Sequence, residues 1–330
     1  MAPPGVKSIP EESPWLQGWD GLVPRDGNSL SQNKLLMVAR ELSARLARLA
    51  FPLHRCKRSN RVFTQRQHLA LLVLRQLLGK SYREFCAIIE LCTPVLRAVG
   101  LRRVPHFTTL QKFAARVDQQ LLDALLASFS DVIRGRLQLA VDSTGFACSS
   151  ASHYFIAVLQ RNEAKAIRTA PRSVRRHMKQ TLAVDTRTQL ILAARYRYGP
   201  TADAPDGIPI LEAASRAGKV GSVVADKGYD SGAIRQYIWY RLKAKAHIPL
   251  RVNAEGETRR SSIYDRKQRA EFRESKYRRR ALIETVHSVE KRVMRGDVLA
   301  RSTPCQNKEL LLRAVAYDLR RVVALAYDFY

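Results

Sequence analysis

Leu137-Gln138-Leu139-Ala140-Val141-Asp142-Ser143-Thr144-Gly145 reads as a short buried strand that runs onto an acid. The same reading fits Ser222-Val223-Val224-Ala225, which stops on Asp226 in Asp226-Lys227-Gly228-Tyr229-Asp230. An apolar strand that stops at a carboxylate places it at the end of a sheet, where ligands commonly sit. One such acid is weak evidence, because Asp is also an ordinary turn residue. Leu182-Ala183-Val184-Asp185 repeats the pattern, and there the reading differs. A polar Asp-Thr-Arg-Thr-Gln segment joins Thr181–Val184 to a third strand, Leu190–Ala194, so Asp185 is expected as a hairpin turn residue.

Outward from these strands, Pro209–Arg216 reads as a helix, Gly232–Lys245 as another, and His247–Val252 as a fifth strand near an edge because of Pro249. A polar stretch, 253–275, precedes a long helix from about Tyr277 to Met294, and a last helix covers Lys308–Ala326. Three strands, helix, strand, helix, strand, helix is a mixed α/β order without a dinucleotide-binding glycine fingerprint.

The N-terminal half is different. Apolar residues from Leu35 to Leu49 keep helical spacing, Gln65–Leu78 is a second amphipathic stretch, and Ser81 with Glu84 forms a capping box that opens a third. Pro94 and Pro105 are expected to end short helices, with Thr108 or Thr109 capping Leu110–Val117. Short helices with basic ends suit an all-α DNA-binding domain of helix-turn-helix type; a plain helical scaffold is the alternative. The expected organisation is an N-terminal arm, 1–30, holding Trp15 and Trp19; a helical DNA-binding domain, 31–134; and an α/β domain, 135–330.

The 330 residues carry 57 Lys+Arg against 29 Asp+Glu, a formal charge of +28. Self-repulsion on that scale favours a polyanionic partner, and nucleic acid is the first candidate. Arg161–Lys179, with seven basic residues against Glu163, reads as a phosphate-tracking loop or a solvated segment. No apolar run approaches the roughly 20 residues of a membrane span. Five scattered cysteines without a C-x-x-C pair argue against a zinc knuckle or a disulfide framework, so a reduced, cytoplasmic setting is expected.

Tyr277, Arg280, Glu284 and Lys291 are spaced three, four and seven apart, which puts all four on one face of a helix. Leu282, Val286 and Val293 on the other side are the expected core, with His287 packed one turn beyond Glu284. By spacing alone, Glu284 among so much positive charge is either salt-bridged or a metal ligand.

At this point the chain resembles a known family. Tyr277-x2-Arg280-x3-Glu284-x6-Lys291 resembles the Y-R-E-K signature of prokaryotic insertion-sequence DDE transposases of the insertion-sequence-4/5-like superfamily. Asp142-Ser-Thr-Gly and Ala-Asp226-Lys-Gly-Tyr-Asp are similar to that family's first and second acidic motifs, in the right order. Met178–Thr188 resembles the hairpin between them, while Ser81–Cys86 and Val104–Gln111 resemble the N-terminal domain of one branch. The resemblance covers roughly Gln65–Ala326.

The resemblance implies a ribonuclease H-like fold: a mixed five-stranded sheet with flanking helices, Asp142 closing the first strand and Asp226 the fourth. It implies two Mg²⁺ ions, replaceable by Mn²⁺, held by Asp142, Asp226 and Glu284, because hard cations take carboxylate oxygens. Tyr277, Arg280 and Lys291 would contact DNA phosphates. The implied activity is transposition: cleavage at terminal inverted repeats and joining of the 3′-hydroxyl to target DNA by a homodimer on double-stranded DNA, near the nucleoid. Two other functions keep the same features, a ribonuclease H-like nuclease without strand transfer and a domesticated, non-catalytic DNA-binding protein. Only 58 positions separate Asp226 from Glu284, which leaves no room for a large inserted domain.

Overall fold

The computed structural model describes residues 34–54, 61–148, 161, 177–199, 201–251 and 263–327. The N-terminal arm with Trp15 and Trp19, and the basic stretch up to 176 except Arg161, lie outside them. Six helices come first: α1 (Lys34–Arg48), α2 (Gln65–Leu78), α3 (Tyr82–Glu90), α4 (Thr93–Ala98), α5 (Phe107–Arg116) and α6 (Gln119–Ala127). The capping box at α3 forms as expected: Ser81 Oγ accepts the Glu84 N–H at 3.3 Å, and Glu84 accepts the Ser81 N–H at 3.1 Å. Three expectations fail nearby, the simplest being Pro105, which ends no helix because α4 already stops at Ala98. Pro94 opens α4 instead of ending a helix, since a proline in the first turn forfeits no bond. Helix α5 begins at Phe107, not Leu110, because the His106 ring, and neither Thr108 nor Thr109, caps it.

Strands β1 (Leu137–Cys148), β2 (His177–Asp185) and β3 (Ile191–Tyr198) form an antiparallel meander. Helix α7 (Ala204–Ser215) leads to β4 (Val220–Ala225); a short 3₁₀ turn, Lys227–Tyr229, leads to α8 (Gly232–Gln236), which loosens into a π turn, Tyr237–Arg241, before β5 (Lys245–His247). Helix α7 starts five residues earlier than expected, with Pro209 inside it, so the backbone bond that a proline cannot donate is missing in its second turn. Strand β5 stops at His247 instead of starting there.

The sheet order is β3-β2-β1-β4-β5, with β4 and β5 parallel to β1 and β5 at the edge. This is the ribonuclease H-like order of a mixed sheet flanked by helices. A sixth strand, β6 (Asp297–Val298), pairs with the far end of β1. Two residues are too few to show a period, and β6 was not expected. Lys179 also departs from the loop reading: it sits buried in β2, its ammonium 2.8 Å from Asp203.

Helix α9 (Ile263–Glu271) precedes a helical run in four pieces: α10 (Glu274–Tyr277), a 3₁₀ turn Arg278–Arg280, α11 (Ala281–Val289) and a π turn Glu290–Met294. Its buried residues are Ile283, Val286, His287, Glu290 and Met294; Val293 is exposed and Leu282 only half-buried. In the regular part of the run Ile283 takes the buried place expected of Leu282, and in the π turn, which widens the last turn, Met294 takes that of Val293.

The last helix, α12 (Thr303–Ala326), starts five residues before the expected Lys308 and ties the molecule together. It packs on α1, α2, α5 and α6 as well as on β3. One continuous apolar core therefore runs from Leu42 and Leu69–Leu74 through α12 into Leu139, Val141 and Val223.

Candidate active site

Strand β1 does not end at Asp142. It continues to Cys148 because β2 goes on pairing with it through Ala147. What ends near Asp142 is the other neighbour: pairing with β4 stops at Val141–Ala225, and pairing with β6 begins only at Ala147. Asp142 and Thr144 thus lie beside a gap between two parallel neighbours. Asp226 follows the last residue of β4, so it leaves the sheet beside Asp142. Its carboxylate accepts the Lys227 N–H at 2.6 Å and caps the 3₁₀ turn.

Successive side chains of a strand point to opposite faces, so Gln138, Asp142, Thr144 and Phe146 share one face of β1. The run Glu274–Met294 covers that face. Arg279 donates to Gln138 at 2.5 Å, and Arg280 reaches Asp142 at 3.5 Å and Glu284 at 2.7 Å. Lys291 donates to Thr144 at 2.6 Å and lies 5.3 Å from the Phe146 ring centre. Arg280, Glu284 and Lys291 do share the face expected of them. Tyr277, one turn earlier, packs its ring against Phe272 at 5.7 Å.

The electrostatics follow from this crowding. Burial pushes the Asp142 carboxyl above the usual carboxylate range, against the pull of His287, the Ser143 N–H and Arg280, while Asp226 adds to the rise. Partial burial lowers the Arg280 guanidinium, but the charges of Asp142 and Glu284 outweigh it and the net shift is upward. Burial lowers the Lys291 ammonium. His287 is buried as expected, with Nδ1 3.9 Å from a Glu290 oxygen. Glu290 is itself fully buried and accepts from Gln180 at 2.6 Å.

The opposite face of β1 supports the same place from behind. Ser143 hydrogen-bonds Thr181 on β2 at 2.9 Å and the Tyr229 hydroxyl at 2.7 Å. Tyr229 is buried, which raises its phenol strongly, and the contact fixes the turn after Asp226 to the residue after Asp142. Arg251 holds that turn from outside through the Lys227 and Gly228 carbonyls at 2.9 and 3.3 Å. Asp230 pairs with Arg235, which also binds Asp265 at 2.6 Å. The sequence reading missed these supports, although Ser143 and Tyr229 stand inside the two acidic motifs.

As donors for a metal, Asp142 and Asp226 have the hard-oxygen chemistry that divalent cations take. Burial of Asp142 leaves it in need of positive charge, which the Arg280 guanidinium supplies by touching both Asp142 and Glu284. Among the described residues no three His, Cys, Asp or Glu side chains are gathered tightly enough to hold one ion. In this arrangement Glu284, half-exposed, is engaged by arginine and stands apart from the aspartates.

A ribonuclease H-like sheet with one acid on β1 beside the gap between β4 and β6, a second just after β4 and a third on a later helix is the arrangement that the resemblance in the sequence implies. Residues 133–319 match the family described as "Transposase DDE domain", and the chain belongs to that family. Among solved structures it is similar to a piggyBac transposase in a synaptic complex with hairpin DNA, with a TM-score of 0.45 and 10% identity over 90% of this chain and 73% of that chain. No curated protein matches. Among the described residues no helix is long and apolar enough to cross a membrane.

Proposed function

We propose that the protein cuts DNA at the ends of a mobile element and joins the freed 3′-hydroxyl to target DNA, with Asp142, Asp226 and Glu284 as the catalytic acids. The observation that carries this reading is the single guanidinium of Arg280 touching both Asp142 and Glu284, residues 142 positions apart in sequence, beside the strand end that carries Asp226. A pair of Mg²⁺ ions held by the three acids would activate the attacking oxygen and stabilise the leaving one, and Mn²⁺ would substitute.

The residues of the chain do the remaining work. Arg280 keeps Asp142 and Glu284 from repelling one another while no other cation is present. Its planar fork suits a phosphate equally well, and Lys291 adds a point charge on the same side. Tyr277 borders the phosphate path. Thr144 orients Lys291, and the Ser143–Tyr229 bond holds the two aspartates at a set separation from the far face. Partners are double-stranded terminal-repeat and target DNA, bound through phosphates by the +28 charge and by the helical region 31–134. A homodimer would hold two ends together. The place of action follows the DNA, at the nucleoid.

The test uses DNA carrying the element's ends with Mg²⁺ or Mn²⁺. Wild type should nick and join. Glu284→Gln should do neither while binding DNA as well or slightly better, since it removes one negative charge near phosphate and keeps the shape. Nicking at the wild-type rate by Glu284→Gln refutes the assignment. Nicking without joining by wild type reduces the protein to a nuclease.

A further inference from the structure

The edge of the sheet carries a surface that the three acids do not use. It is formed by the π turn Tyr237–Arg241, strand β5 and helix α9, which packs on β5 and α8. Arg241, Lys243 and Lys245 are exposed on it, and Lys267 rises from α9. Both acids of α9 are turned inward: Asp265 is buried on Arg235 at 2.6 Å, and Glu271 accepts the Trp239 indole N–H at 3.1 Å. Among the described residues of these elements, the exposed charge is therefore positive. In its middle stands Tyr240, 58% exposed, with the Lys267 ammonium 5.6 Å from its ring centre and 4.8 Å from that of Trp239.

Lysines on an edge strand have a plainer use, which is to keep the open edge from pairing with another chain. That accounts for Lys243 and Lys245. It does not account for a large exposed aromatic beside them, or for α9 spending both of its carboxylates on internal bonds. Cations interleaved with an aromatic suit a nucleic-acid backbone with its sugars and bases. The position also fits. Strand β5 borders β4, which Asp226 follows, and Phe272 after α9 touches both His247 of β5 and Tyr277, with ring centres 6.4 and 5.7 Å apart. Phe272 thus links the base of this surface, at the buried His247, to Tyr277 in the helical run that carries Glu284.

We propose that this face is a second contact for duplex DNA, gripping backbone beyond the phosphate being cut, with Tyr240 packed against a sugar or an end base. The inference rests on the proposed reading of the acids as a DNA-cutting site. Lys243, Lys245 and Lys267 neutralise phosphates there, and Arg241 extends the track.

The test combines Lys243→Gln, Lys245→Gln and Lys267→Gln in the full chain and measures duplex affinity across salt concentrations. Each lost phosphate contact flattens the slope of log K against log salt by about 0.9, so the triple variant should be flatter by about 2–3. Its hydroxyl-radical footprint should shorten on one side of the cut site, while cleavage of saturated DNA persists. The corresponding Lys→Arg triple keeps charge and fold and should restore slope and footprint. Tyr240→Ala should weaken binding several-fold with the slope unchanged. A slope and footprint equal to wild type in the Gln triple would overturn the proposal. So would a slope unchanged while the mass of the DNA-free protein falls, since the face would then bind a second copy. Lysine-dependent binding without metal-dependent cutting would support the surface and refute the reading of the acids.

Discussion

Gly79 is where the helical region meets the end of the run that carries Glu284 and Lys291. It ends α2 in the left-handed region, at φ +61°, and a Cβ built there would run into the Met294 carbonyl, coming within 3.0 Å of its carbon. Gly79→Ala therefore incurs two costs. Holding a non-glycine residue left-handed costs about 1–2 kcal/mol. Forcing apart a backbone contact that no rotamer can relieve adds about 1–3 kcal/mol. Gly100 separates the two, because it is also left-handed, at φ +72°, but its Cβ would meet only the Gln67 amide nitrogen at 3.6 Å, an ordinary contact. Gly100→Ala should show the first cost alone. The unfolded chain stiffens equally in both variants, so that offset cancels in the difference. Urea unfolding of both, with the slope against denaturant unchanged, should place Gly79→Ala about 1–3 kcal/mol below Gly100→Ala, a large share of a typical 5–15 kcal/mol. Equal losses would mean that α2 and Met294 are not in rigid contact, and the tie between the two halves of the molecule would be refuted.

Three further outcomes follow from particular residues. Tyr229→Phe removes a buried hydrogen bond between neutral hydroxyls and should cost about 1 kcal/mol by urea unfolding; a loss of cleavage no greater than that of stability would refute its positioning of Asp226. Burial holds the Asp318 carboxyl well above the usual carboxylate range, so its contribution to folding is complete below the unfolded value of about 3.9 and is lost as pH rises through the folded one. Asp318→Asn can keep the 2.8 Å bond from the Ile191 N–H and should gain stability over wild type as pH rises, measured as urea midpoints, whereas a pH-independent difference would refute a protonated Asp318. Lys291→Ala should weaken DNA binding and flatten its salt slope by about 0.9, and an unchanged slope would remove Lys291 from the phosphate path.

What was legible in the sequence was local or periodic. The capping box at Ser81 needs only two residues in one turn, so it could be read directly. The face shared by Arg280, Glu284 and Lys291 needs only helical spacing, and it survives the 3₁₀ turn at Arg278–Arg280 because the distortion is short. Features set by a neighbour were not legible. Strand β1 overruns Asp142 because β2, 38 positions on, keeps hydrogen-bonding to it, and nothing in Asp-Ser-Thr-Gly announces that partner. The start of α5 was misplaced because a histidine ring took the cap expected from a threonine. The buried stripe of the long helix includes Glu290, which docks on Gln180, and a contact between such distant segments is not visible in spacing.

The same distinction bears on Glu284, for which spacing alone allowed either a salt bridge or a metal ligand. The structure shows the salt bridge, at 2.7 Å to Arg280, but the bridge does not stand alone. An ordinary i, i+4 pair on a helix surface contributes only a few tenths of a kcal/mol and needs no third partner. Here the same guanidinium also reaches toward Asp142, whose burial raises the cost of its charge, in a sheet gap that a second aspartate borders. A purely structural pair would gain nothing from being placed there, since an apolar residue at Asp142 would avoid the desolvation altogether. Two carboxylates, those of Asp142 and Glu284, share one guanidinium there, which fits the proposal that another cation takes that place. Under the proposed reading of the acids, the salt bridge and the metal ligand are two states of one site.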